Sequence, residues 1–129
     1  MNMVVLAGRL SGPPAEKVLE SGTRLMSLQV TVESPGTRAE SVPVAWFDPA
    51  AAAVELDEGD RVVVVGRVRR RFFRTPGGTQ SRTEVVADMI VPASRPVGVR
   101  NALTEAVSRL ADELDRTPQR ATRQRQRTT

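Results

Sequence analysis

The chain has 129 residues and a mass of 14.0 kDa, room for one domain and a short appendage. It contains no Cys and no His, which excludes disulfide frameworks, cysteine nucleophiles, the usual zinc sites and imidazole acid–base chemistry. A net charge of +4 and a pI near 11.1, with no apolar run near membrane-spanning length and no charged-then-apolar leader, lead us to expect a soluble intracellular protein that is not an enzyme.

Met3 to Leu10 alternates, with Val4, Leu6, Gly8 and Leu10 on one side, and reads as a half-buried strand. Ser11-Gly12-Pro13-Pro14 stops it. Thr23 to Glu33 alternates again, with Met26, Leu28, Val30 and Val32 inward. Ser34-Pro35-Gly36 opens a polar loop that carries Arg38. Ser41 to Phe47 is a third strand, in which Pro43 cannot donate to a ladder and argues for an edge or a bulge. Trp46, beside Phe47, reads as core or rim packing.

Asp48-Pro49 ahead of Ala50 to Leu56 predicts a short helix: an acidic N-cap, Pro at the first position, then strong helix formers. Gly59 suits the left-handed cap that closes it. The fourth strand runs from Arg61 through four valines to Arg74, Thr75-Pro76-Gly77-Gly78 turns, and Thr79 to Val91 returns as the fifth. At about 3.3 Å per residue the fourth strand is roughly 45 Å long, more than a small domain is wide. The hairpin must therefore project or wrap, and Gly66 is the natural place for a bulge.

Pro92 to Gly98 reads as a linker. Val99 to Arg116 is an amphipathic helix whose Val99, Leu103, Ala106, Val107, Leu110 and Leu114 recur at spacings of three and four. The stretch 117–129 is Arg, Gln and Thr with one Pro and one Ala and is expected to be disordered. The domain plan is thus 1–91, linker 92–98, helix 99–116 and basic tail 117–129. The fold class is all-β: a five-stranded oligonucleotide-binding (OB-fold) barrel with a short helix between strands three and four, then the C-terminal helix. Periodicity alone leaves another small barrel open.

Charge is unevenly placed. Gly66 to Arg82 holds six Arg and no acid, and Arg116 to Thr129 holds five Arg and no acid. Two cationic patches on an otherwise acidic chain point to a polyanionic partner, although an Arg-rich stretch is also what a solvated surface looks like. Parity on the fourth strand puts Arg67, Arg69, Arg71 and Phe73 on one face and Val64, Val68 and Phe72 on the core face, provided Gly66 leaves the register alone. Cations that track phosphates beside a ring that stacks on a base are what sequence-independent single-strand binding needs. Arg74 and Arg82 belong to the same hairpin, and Arg9 and Arg38 are candidates to extend the track. Five or six phosphate contacts would give a slope of log K against log[salt] of about −4. Asp57, Glu58 and Asp60 lie at a helix end and turn, and Gly77-Gly78 lacks a following helix and Lys. No metal and no cofactor are expected.

Several stretches carry a family likeness. Asn2 to Leu10 with Pro14, Val44-Ala45-Trp46-Phe47, Glu58-Gly59-Asp60-Arg61-Val62 and the run from Gly66 to Phe73 followed by Gly77-Gly78, Arg82 and Glu84 to Ala87 together resemble the bacterial single-stranded DNA-binding protein family over about Met1 to Val91. The resemblance implies single-stranded DNA as partner, in replication, repair or recombination, a homo-oligomer of two or four chains, and a cytoplasmic, nucleoid-associated location. It places a base-stacking aromatic at Phe73 and a basic neighbour at Arg71. Two departures stand out: Ser41 replaces a common aromatic, and the end is basic where the family usually has an acidic, hydrophobic tip. They mark a divergent paralogue and, with the added helix 99–116, support a competing reading: an interaction or scaffold subunit of a DNA- or RNA-processing complex with weak nucleic-acid affinity, which uses that helix for assembly or a protein partner. The binding reading requires the hairpin's guanidinium groups to be free of carboxylate partners and of subunit contacts.

Overall fold

Alternation of apolar and polar residues builds the sheet. The computed structural model describes residues 1–49 and 55–116. Among the described residues are six strands and one helix: β1 Val4–Leu10, β2 Ala15–Val18, β3 Arg24–Val32, β4 Glu40–Phe47, β5 Arg61–Thr75, β6 Gly78–Pro92 and α1 Pro96–Arg116. The five expected strands are present, and β2 is a sixth. All four β2 residues are exposed, so no buried alternation marks it; its backbone ladder to β3, from Ala15↔Ser27 to Val18↔Arg24, is what makes it a strand.

The order β1-β5-β6-β4-β3 forms a ring through a β1–β3 pairing, with β2 attached outside β3. Two joints are short. β1 meets β3 at Arg9↔Thr31 and Leu10↔Val30, and β4 meets β6 in parallel at Val44↔Val85 and Ala45↔Val86. The result is a ring of strands with two narrow seams rather than the continuous five-stranded barrel expected from sequence. Pro43 lies just outside the second seam, where a missing N–H costs no ladder bond to β6. The helix expected over Ala50 to Leu56 falls mostly on 50–54, outside the described residues, and Glu55 to Asp57 have no regular structure.

Inward-facing alternates fill the ring: Leu10, Met26, Leu28, Val30, Val44, Trp46, Val62, Val64, Val85, Ala87 and Ile90, joined by Leu56. Trp46 is buried, as expected. Burying each of the Val, Leu, Ile and Met side chains among them contributes about 1.5–3 kcal/mol against the entropy of ordering the chain. At the other side of the ring Gly59, with φ of 89°, lets the 57–60 turn bond back to Leu10: its N–H donates to the Leu10 carbonyl, and the Leu10 N–H donates to that of Asp60.

The β5–β6 register shifts between Val65 and Gly66, because Val65 pairs with Met89 while Gly66 pairs with Ala87. Asp88 is therefore the extra residue, on β6, and the alternation along β5 continues unbroken. Gly66 is required there: an added Cβ would meet the Val86 carbonyl oxygen and sit 2.9 Å from its carbon.

Beyond this point β5 leaves the ring. The β1 ladder ends at Val4↔Gly66, and the Asn2 side chain adds one rung, its amide donating to the Val68 carbonyl at 2.7 Å and its oxygen accepting the Val68 N–H at 2.9 Å. From Arg70 to Thr83 the two strands pair only with each other, across a Pro76-Gly77 turn. Val68 and Phe72, expected in the core, are consequently 42% and 66% exposed. Their parity is the core one, but the core stops short of them.

Helix α1 begins at Pro96, three residues before the expected start, with Pro in the first turn, where its missing N–H is harmless. It packs on β5 and β6 through Ala102 and Ala106. Among the described residues no helix is long and apolar enough to cross a membrane. The expected disordered tail, 117–129, lies outside the described residues.

Candidate nucleic-acid interface

The face of the sheet turned away from the core is where the charged hairpin meets the body. On β5 it carries Arg67, Arg69, Arg71 and Phe73, as parity predicts, because the bulge falls on the partner strand. Cross-strand pairing adds Val86, Glu84, Arg82 and Gln80 from β6. The β3–β4 register adds Leu25 opposite Phe47, Ser27 opposite Ala45 and Gln29 opposite Pro43. Together these enclose a shallow groove of about 210 Å³, floored by Ala45 and Ser27 and walled by Phe47, Arg69, Arg71, Arg82 and Glu84.

Two rings mark this face. The Arg69 guanidinium lies 5.5 Å from the centroid of the half-buried Phe47, and that of Arg71 lies 5.8 Å from the centroid of Phe73, which is 37% exposed. Phe47 did not stand out in the sequence beside the rarer Trp46. The signal was available, since alternation along β4 sends Trp46 inward and Phe47 outward with Ala45, Pro43 and Ser41. Ser41, where the resemblance leads one to look for an aromatic, instead donates a hydrogen bond to the Gln29 side chain at 3.0 Å.

The expectation of unpartnered guanidinium groups needs correction. Glu84 is buried, and its Oε1 accepts from Arg69 Nη2 at 2.6 Å and Nε at 3.3 Å, with Arg71 Nε at 3.7 Å. Arg67 approaches Asp88 at 4.0 Å, and Arg9 pairs with Glu33 at 3.0 Å. The cause is the parity that aligned the arginines: cross-strand pairing places Glu84 directly opposite Arg69 on the same face. Arg70, Arg74 and Arg82 have no carboxylate within 4.0 Å among the described residues. Arg82 sits directly across from Arg71, a like-charge pair that an anion between them would relieve. The face thus keeps a cationic excess, carried by fewer free groups than the Arg count implies.

The remaining candidates scatter. Arg74 lies near the hairpin tip on the opposite face, with Arg70 and Phe72. Arg38 sits in the loop between β3 and β4; because β4 runs parallel to β6, that loop emerges at the same end of the sheet as the hairpin. Arg9 is at the other end of β5, opposite Arg61, away from the groove. Among the described residues no group of three or more acidic side chains is placed to hold a metal ion.

The family model for the single-strand binding proteins matches residues 1–92, from the first residue through the end of β6. The chain belongs to the single-strand binding protein family. Proteins of this family are binding proteins rather than enzymes, and membership carries single-stranded DNA binding on an OB-fold as its general property. Helix α1 lies beyond the matched residues. A search of the curated proteins found no match to this chain.

Proposed function

We propose that the chain binds single-stranded DNA without sequence preference along the outer face of β3, β4 and the β5–β6 hairpin, in replication, repair or recombination. Phe47 and Phe73 supply base-stacking surfaces, Arg69, Arg71 and Arg82 hold phosphates between them, and Arg38 extends the track at the hairpin end of the sheet. The observation that carries this reading is the pairing of each ring with an arginine on one continuous face. A flat ring accepts any base, so affinity need not depend on sequence.

The salt dependence follows from the ion pairs. On the binding face Arg82 has no carboxylate within 4.0 Å among the described residues, and Arg69 and Arg71 share one; with Arg38 about three phosphate contacts are expected and a slope near −2 rather than −4. The test is titration of a fluorescent oligo(dT) and of a duplex of equal length over a range of salt. Preference for the single strand with that slope is the expected result. Equal affinity for both, or none for either, sinks the proposal.

A second reading has its own observation. Glu84 and Asp88 neutralise part of the stripe, as befits a scaffold subunit that has given up affinity. That reading expects a slope shallower than about −1 and no loss when Arg69 and Arg71 are changed to Ala together.

A further inference from the structure

The β5–β6 ribbon has a back face, opposite the groove, that the proposed track leaves unused. Alternation sends Arg70, Phe72 and Arg74 there, and cross-strand pairing sets Thr83, Ser81 and Thr79 beside them in that order. All six are exposed, Phe72 by 66%. The core does not cover them, because from Arg70 to Thr83 the two strands pair only with each other. Neither Arg70 nor Arg74 has a carboxylate within 4.0 Å among the described residues, whereas on the groove face Arg69 and Arg71 share Glu84. The less conspicuous side of the ribbon therefore holds the freer cations.

Arg70 and Arg74 are four residues apart, about 13 Å along the strand, with Phe72 midway. A ring held in water between two unpaired cations suits a base flanked by two phosphates, and the three hydroxyls can donate to phosphate oxygens. We propose that this back face is a second contact for single-stranded DNA: a strand that fills the groove continues over the hairpin tip and returns along Arg74, Phe72 and Arg70. The inference rests on the groove reading above, which supplies the strand. The tip leaves the path open, since Gly77 and Gly78 carry no side chain and nothing lies closer than 4.0 Å to a Cβ added at either. One ring and two cations hold a free oligonucleotide weakly. A strand already bound in the groove presents its next nucleotides at an effective concentration in the millimolar range, which makes the second contact count. A second copy of the chain fits less well, because two back faces related by a twofold axis set arginine against arginine.

The test measures the affinity of the full chain for oligo(dT) of about 8 nucleotides, enough for the groove alone, and of about 20. The variants are Phe72→Ala and the pair Arg70→Gln with Arg74→Gln; these side chains are exposed, so the fold does not depend on them, and circular dichroism checks this. Both variants should match the wild type on the short strand. On the long strand each should bind about tenfold more weakly, and the double variant should show a salt slope shallower by about 1.4, the loss of two phosphate contacts. Any gain that the long strand draws from the groove of another subunit survives in the variants. Equal long-strand affinity in the wild type and both variants overturns the inference, as does a loss of the same size at both lengths. A changed mass of the variants in sedimentation velocity without nucleic acid also overturns it, by assigning the face to a subunit contact. Failure of the groove reading shows elsewhere: short-strand binding is then indifferent to Phe47→Ala.

Discussion

At the scale of single residues, the site is decided by what lies opposite what. Phe47 and Phe73 each sit under a guanidinium, 5.5 and 5.8 Å from the ring centroid, on the face proposed to take bases. Phe47→Ala and Phe73→Ala should each weaken short oligo(dT) binding by about 1–3 kcal/mol, and Phe72→Ala, on the opposite face, should leave it unchanged. Fluorescence titration of the three variants at one salt concentration checks this; a larger loss from Phe72 than from Phe47 would move the site to the other face. Glu84 poses a sharper question, because its buried carboxylate holds Arg69 and reaches Arg71. Glu84→Gln keeps an acceptor but removes a negative charge. It should strengthen oligo(dT) binding and steepen the salt slope by about 0.7, with a stability loss of about 1 kcal/mol. Weaker binding by Glu84→Gln would mean that the carboxylate positions the two arginines rather than competing with phosphate.

At the scale of elements, the hairpin is the part that the sequence announces and the ring is what aims it. Six arginines and a Pro-Gly turn make β5 and β6 visible in the one-dimensional pattern, and alternation alone puts Arg67, Arg69, Arg71 and Phe73 on one face. Nothing local to β5 reveals that Glu84 lies opposite Arg69, because that contact depends on the register of a strand fifteen residues away. Nor does the pattern of β5 show where the core ends, so Val68 and Phe72 read as buried until the ring is seen to stop at Gly66. The strand β2 stayed hidden because four exposed residues have no hydrophobic period to detect. Gly66 is where the projecting ribbon meets the ring, and the Val86 backbone leaves no space for a side chain there. Gly66→Ala should cost about 1–3 kcal/mol, read as a fall in the thermal midpoint, since the backbones of two paired strands must separate. Gly77→Ala in the turn, where the nearest atom to an added Cβ is 4.0 Å away, should stay within about 0.5 kcal/mol. Equal costs for the two would show that the close approach at Gly66 is not what holds the bulge.

At the scale of the whole molecule, the outer surface of the sheet is divided between two tenants. Helix α1 covers the β5–β6 segment on the ring side of the bulge, around Val63 and Val91, while the arginines and rings occupy the segment beyond it. Asp88, the extra residue at the bulge, stands on the border, paired with Arg109 of the helix at 3.3 Å and Arg67 of the hairpin at 4.0 Å. This division predicts how stability and binding are distributed. Amides of Met26 to Val30 and Val62 to Val65 lie under the core and should exchange with solvent only through global unfolding. Those of the hairpin from Arg70 to Thr83, paired only with each other, should exchange through local opening. Saturating oligo(dT) should then slow exchange in the hairpin and around Phe47 while leaving Ala102 to Leu110 unchanged, because the ligand orders the one segment and does not touch the other. Hydrogen exchange with and without oligo(dT), read segment by segment, makes the comparison within a single sample. Protection confined to α1, with the hairpin unaltered, would place the strand on the helix side of Asp88 and remove the groove from consideration.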